Sequence, residues 1–249
     1  MKSKKLPEDM IGIFIINLSN RKDRWISCVE QLSTIDIPAF RVDAVPFDSL
    51  KSNELRFAPA GVVATWESHQ KAARQFLESP YQFGLILEDD FKLRRGIKKK
   101  LVRLTSGAEY DYLQLGFLFP HYLDFLTYFV FNLQDYLLKF LSAISIRFKF
   151  AKPLKSKHTV VEQVGVDRKI VLNDVRAGGH GYLINRNFAQ AMECMNRPVF
   201  LSADGVFMAI SVSRNFRMAR LRKSIVAQSG SESSVTYRIK ALELKQNNQ

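Results

Sequence analysis

The apolar run Phe83-Gly84-Leu85-Ile86-Leu87 closes on three consecutive carboxylates, Glu88-Asp89-Asp90. A run of this length, bounded in this way, predicts a strand buried on both faces of a parallel sheet. Open α/β sheets bind their ligands beyond the carboxyl ends of their strands, so the three acids are expected to face a crevice. Side chains alternate along an extended chain, which lets Glu88 and Asp90 point to one side and share a hard divalent cation bound to a diphosphate. A solvated acidic turn closing a strand is the other reading that the triplet alone leaves open.

The segments around the triplet fit an α/β chain. Ile11 to Leu18 reads as a strand, Arg21 to Ser33 as a helix, and Ala39 to Val45 as a second strand, which makes a βαβ opening. Trp66 to Leu77 is predicted helical and Gly96 to Leu104 forms a short basic helix, followed by a strand over Tyr112 to Leu118. Further on, Gly181 to Ile184 is strand-like, Asn187 to Met195 and Asp204 to Ser213 are helical, and Ser224 to Ala227 is extended. The 249 residues are expected to form a single domain.

Between these segments, residues 119–158 change character. Phe125, Phe129, Leu133, Tyr136, Leu137, Phe140, Leu141 and Ile144 follow helical spacing, with Asp135, Lys139 and Ser142 on another face. The stretch free of charge is too short to span a bilayer, which takes about 20 residues. Arg147, Lys149, Lys152, Lys155 and Lys157 follow it, a combination suited to lying on an anionic membrane surface. A core or dimer helix with a solvated lysine tail remains the alternative.

Charge narrows the partners. A net charge of +13 and a pI near 9.8 imply an acidic partner: nucleic acid, anionic lipid or a phosphorylated substrate. No nucleic-acid-binding fingerprint is present, so nucleic acid is not the expected partner. Cys28 and Cys194 are too few and too far apart for a disulfide framework or a zinc site, and no signal-peptide h-region precedes the first strand. A reducing, cytoplasmic setting is expected.

Asn17-Leu18-Ser19-Asn20-Arg21-Lys22-Asp23-Arg24 follows a strand and opens a helix, placing backbone N–H groups and arginines where an anion binds. Arg24 suits phosphate because a guanidinium bonds it in bidentate fashion; a surface pair with Asp23 or Glu30 is the alternative. His180 lies among Gly178, Gly179 and Gly181, where backbone and ligand can approach closely. His69 suits a phosphate or a helix packing contact, and Asp43 the nucleotide or a turn.

In their order, IINLSNRKDRW (15–25), FRVDAV (40–45), Gly61 to Ser68-His69, LILEDD (85–90), GGHGYLINRNFAQAM (178–192) and Asp204 resemble the family-25 glycosyltransferases. That family includes bacterial lipooligosaccharide galactosyltransferases and collagen galactosyltransferases, and the resemblance runs nearly the whole length. It implies a GT-A-like, Rossmann-like nucleotide-sugar sheet with helices on both faces, interrupted by the aromatic insertion. It also implies a UDP-sugar donor and Mn2+, or Mg2+, held by Glu88 and Asp90. The residues that resemblance and chemistry assign to the donor are Asn17, Arg21, Arg24, Asp43, Ser68, His69, Glu88, Asp89, His180 and Gly181. Departures lie at Val62-Val63-Ala64-Thr65-Trp66-Glu67, where the family has a small or cysteine-containing stretch, and in the insertion.

Sugar transfer with inversion needs a carboxylate to take the acceptor hydroxyl's proton, and Asp204 is the first choice, with an N-cap as its plainer role. Asp90 supports departure of the diphosphate. The expectation is a hexosyltransferase, peripheral on the inner face of a bacterial cytoplasmic membrane, moving galactose from UDP-galactose in β linkage to a lipid-linked lipooligosaccharide sugar. A Ser-rich segment, Ser229 to Ser234, resembles a loop near the donor. The competing readings are a non-catalytic basic protein for anionic lipid or nucleic acid, and the same enzyme class with another donor or acceptor.

Overall fold

A computed structural model describes residues 10–51, 57–106, 108–117, 170–213, 215–221 and 223–229. The predicted insertion over 119–158 and the serine segment beyond Ser229 lie outside the described residues. Strand β1 spans Ile11–Asn17 and helix α1 Lys22–Leu32, followed by β2 (Ala39–Asp43), α2 (Ala60–Glu78) and β3 (Phe83–Glu88). Next come β4 (Phe91–Leu93), α3 (Ile97–Thr105), β5 (Tyr112–Gly116), β6 (Ile170–Leu172) and β7 (Gly181–Asn185). Then follow α4 (Arg186–Met192), α5 (Ala203–Ser213), β8 (Met218–Leu221) and β9 (Val226–Gln228).

Seven strands form one mixed sheet in the order β2-β1-β3-β7-β5-β8-β6, and β4 pairs with β9 in a separate ribbon. The period-2 alternation of the buried strands sorts the core into two layers. Phe14, Ile16, Ile86, Tyr182 and Ile184 point to the face covered by α2, α4 and α5. Ile11, Ile13, Ile15, Leu85, Leu87 and Leu183 point to the face covered by α1 and α3. The expected α/β sheet with helices on both faces is thus present.

Helix α2 begins at Ala60, a turn and a half before its predicted start at Trp66. Two β-branched valines weaken the helical signal there. Pro59 nevertheless opens the helix, its carbonyl accepting the N–H of Val62 and Val63 at 2.9 and 3.1 Å, and Val63 and Trp66 are buried in the core. The strand expected over Tyr112–Leu118 ends at Gly116, where its pairing with β7 shifts register.

Topology brings the distant motifs to one edge. Strands β1, β2 and β3 run parallel, so Asn17, Asp43 and Glu88 end side by side, with Asn17 opposite Asp43 and Ile16 opposite Glu88. Strand β7 runs antiparallel and therefore starts there, Gly181 lying opposite Leu87. Because the connection from β1 runs through α1 on one face outward to β2, while α2 carries the chain back across the other face to β3, the β1/β3 boundary is a topological switch point, where open sheets leave a crevice.

Candidate functional site

The three carboxylates go in three directions. Glu88, in phase with Ile86, lies toward α2, with His69 Nε2 3.6 Å from its Oε1; 34% of its side chain is exposed. Asp89, in phase with Leu87, turns to the opposite face. There its Oδ2 accepts from Asn17 Nδ2 and its Oδ1 from Arg24 Nη1, both at 2.7 Å, and only 10% of its side chain is exposed. Asp90 is buried beneath β9: its Oδ2 accepts from Gln228 Nε2 at 3.1 Å and its carbonyl from the Ser229 N–H at 2.7 Å. Its Oδ1 is buried with no hydrogen-bond partner among the described residues.

Charge differs accordingly. Burial and the neighbouring Glu88 charge push the Asp90 carboxyl above the ordinary range. Burial also acts to raise Glu88, but His69, His180 and Arg24 outweigh it and hold that carboxyl low. Two carboxylates that repel each other, one with an unbonded buried oxygen, have the chemistry of a partial shell for a hard divalent cation. Among the described residues no group of three or more His, Cys, Asp or Glu is placed to hold a metal ion.

The predicted anion turn is tied to the triplet by its side chains. Arg24 is bonded to Asp89 rather than to Asp23 or Glu30, and Arg21 makes the exposed pair with Asp23, at 3.0 and 2.8 Å. Asn17 is fully buried and acts as a hub: it donates to Asp89 and to the Arg21 carbonyl (3.1 Å) and accepts from Arg41 Nε (3.0 Å). Arg41, unassigned from sequence although it lies in FRVDAV, stands 5.6 Å over the Trp25 ring and 3.7 Å from Asp43. Asp43 itself is exposed, and Lys71 bonds its carbonyl at 2.9 Å.

The Ser-His pair lies inside the fold. Ser68 Oγ donates to the Ala64 carbonyl (2.6 Å) and accepts the Val45 N–H (2.9 Å), pinning the chain after β2 onto α2. His69 is buried, with Nδ1 2.7 Å from the hydroxyl of Tyr182, a residue that sequence reasoning missed. The signal available was parity: Tyr182 lies in phase with the buried Ile184, on the α2 side.

The glycine segment behaves as a close-approach loop. His180 is buried, its Nε2 lies 3.2 Å from the Val226 carbonyl, and its Nδ1 has no partner among the described residues. A Cβ at Gly116 would fall 2.5 Å from His180 Nε2, so only glycine admits this ring. Gly181 lies against Val226 and Leu87. Asp204 sits in the first turn of α5 and accepts the N–H groups of Gly178 and Gly179 at 2.8 and 2.5 Å. Ser202 caps that helix instead, through Gly205 N–H at 3.2 Å. Burial raises the Asp204 carboxyl, opposed by the two amides, and the Glu88 charge raises it further.

No family model and no curated protein sequence matches the chain. Among solved structures, A197 from STIV is similar at 16% identity and a TM-score of 0.41, over 87% of this chain and 82% of that one. A glycosyltransferase involved in glycosylation of the major capsid of PBCV-1 is similar at 10% identity and a TM-score of 0.43, over 94% of this chain and 98% of that one. S. aureus TarS 1-349 is similar at 8% identity and a TM-score of 0.41, over 88% of this chain and 60% of that one.

Proposed function

We propose that the protein is a metal-dependent glycosyltransferase that moves a hexose from a UDP-sugar donor to a sugar acceptor. The observation that carries this reading is the convergence of segments at residues 17–24, 41–43, 88–90 and 178–181 on one sheet edge, with Glu88 and the unbonded Asp90 oxygen at its centre. These four stretches lie within the segments that, with Gly61 to His69 and Asp204, carry the resemblance to family-25 glycosyltransferases. The finer assignment is galactose from UDP-galactose, transferred with inversion into β linkage on a lipid-linked lipooligosaccharide core sugar. Among the described residues no helix is long and apolar enough to cross a membrane, and the basic balance suits a peripheral position on an anionic inner leaflet.

Glu88 and Asp90 would hold Mn2+ or Mg2+. When bound, such a cation neutralises charge on the departing diphosphate. Arg24 and Asn17 fix Asp89, which sets the direction of the chain between the two ligands. Asp204, oriented by two backbone amides and made more basic by burial, takes the proton from the acceptor hydroxyl in its ionised form.

The test combines binding with turnover. UDP and Mn2+ together raise the melting temperature of the wild-type protein but not of Asp90→Ala, and a screen of sugar nucleotides finds one from which UDP is released. Linkage analysis of the product then assigns sugar and acceptor. If no uridine diphosphate compound binds in a metal-dependent way, and an oligonucleotide or anionic vesicles stabilise the protein instead, it is a binding protein and not this enzyme.

A further inference from the structure

Each acid of the triplet has its own holder. Asp89 is gripped by Asn17 and Arg24, and Asp90 by Gln228. Glu88 has the His69 ring near its carboxylate, and its backbone N–H bonds the His180 carbonyl at 3.2 Å. Resting on the reading of Glu88 as a cation ligand, we infer that Tyr182 and His69 form a buried positioning pair that aims the Glu88 carboxylate.

The argument begins with access. His69 is 1% exposed, with Phe207 packed edge-on at 6.2 Å and the Tyr182 ring at 5.7 Å, so no phosphate reaches it. Tyr182 is completely buried, and burial, reinforced by Glu88 and Asp204, keeps its phenol protonated. A buried hydroxyl needs an acceptor, and His69 Nδ1 lies 2.7 Å from it. With the phenol donating to Nδ1, the ring carries a proton on Nε2. That N–H faces Glu88 Oε1 across 3.6 Å, a charge–dipole contact longer than a hydrogen bond. The opposite tautomer would present a lone pair to a carboxylate. The order phenol, imidazole, carboxylate, cation has the logic of outer-shell partners that orient metal ligands.

The pair is tested first in the metal-free protein by nitrogen NMR of labelled histidine. The chain has four histidines, and the His69 signals are assigned by their loss in His69→Gln. The expected pattern is a protonated Nε2 and a bare Nδ1, lost or mixed in Tyr182→Phe. Titration with Mn2+ alone, followed by the electron-spin signal of free ion, should show affinity roughly 10–100-fold weaker in Tyr182→Phe and His69→Leu. His69→Gln, which can still offer an N–H, should recover most of that loss. An Nδ1-protonated or doubly protonated His69 overturns the inference, as does wild-type Mn2+ affinity in cooperatively folded Tyr182→Phe and His69→Leu. The expected tautomer together with no Mn2+ affinity in the wild type removes the cation role of Glu88 and with it the positioning role, while UDP release from a sugar nucleotide separately decides the proposed enzyme.

Discussion

Replacing Asp89 by alanine should destabilise the protein strongly, although the residue lies inside a motif that reads as metal-binding. The substitution deletes two hydrogen bonds of 2.7 Å, to Asn17 and to Arg24, and leaves the Arg24 guanidinium, 11% exposed, without its carboxylate. Bonds to charged groups contribute about 1.5–3 kcal/mol each. Breaking a buried ion pair by removing one partner costs about 3–5 kcal/mol, and at this exposure solvent screening does little to reduce it. The expected loss is therefore about 3–5 kcal/mol, a fall in melting temperature of roughly 6–20 °C for a chain of this size. Urea unfolding measures the free energy directly, and an Arg24→Leu/Asp89→Leu double variant should recover part of it by removing both charges of the pair. Asp90→Asn is the contrast: its Oδ1 has no partner among the described residues, its Oδ2 keeps Gln228 as an amide oxygen, and its charge is disfavoured, so the change should cost under about 1 kcal/mol while abolishing metal-dependent UDP affinity. A loss under about 1 kcal/mol in Asp89→Ala would refute the division of roles within the triplet.

Asp204 gives a pH signature. Its folded-state carboxyl is raised, so the folded protein binds more protons than the unfolded chain, and this group favours folding more as pH falls toward its unfolded value near 3.9. Asp204→Asn lacks this contribution and loses one amide acceptor, so its stability deficit relative to wild type should widen from pH 7 to pH 4; a deficit that narrows excludes a raised carboxyl. Gly116→Ala would force a Cβ within 2.5 Å of His180 Nε2 and 2.9 Å of the Val226 carbonyl. We expect about 1–3 kcal/mol of destabilisation in urea, together with weaker UDP·Mn2+ binding through displacement of the strand that carries Gln228. Phe207→Ala empties the centre of the ring cluster of Trp66, Tyr112, Tyr182 and Phe188, which lie 4.9 to 6.1 Å from it between centroids, and should cost about 3–5 kcal/mol by the same measurement.

The sequence revealed elements where periodicity was clean. Strands β1, β2, β3 and β7 carry unbroken apolar or alternating patterns and were readable as such. Strand β8, Met-Ala-Arg-Leu, was not, because Arg220 interrupts it; that side chain is nevertheless buried, its charge met by Asp174 with Nε–Oδ2 at 2.7 Å. Strand β9 was anticipated in the extended reading of Ser224 to Ala227, whereas its partner β4, three residues long, is too short to show a period. The site was legible as a set of residue types in order. Its partnerships were not, since Asn17 with Asp89 and Asp90 with Gln228 join positions 72 and 138 residues apart. Arg24 illustrates the cost: local spacing offered Asp23 or Glu30, and the fold delivered Asp89.

Strand geometry explains why three identical-looking charges acquire different work. Successive side chains leave a strand on opposite faces, so a triplet at a strand end cannot converge on one ion. The middle acid must enter the layer beneath α1, where an unpaired carboxylate would be costly, and Arg24 and Asn17 meet it there. Glu88 falls on the α2 side and Asp90, past the end of the strand, beneath β9, near enough for the charge of Glu88 to raise Asp90, and the described residues leave one Asp90 oxygen without a partner. Stability is thus concentrated in Asp89, and the unfavourable electrostatics in Glu88 and Asp90. Charges brought together at that cost are those expected to meet a ligand, and a bound cation would offset their mutual repulsion.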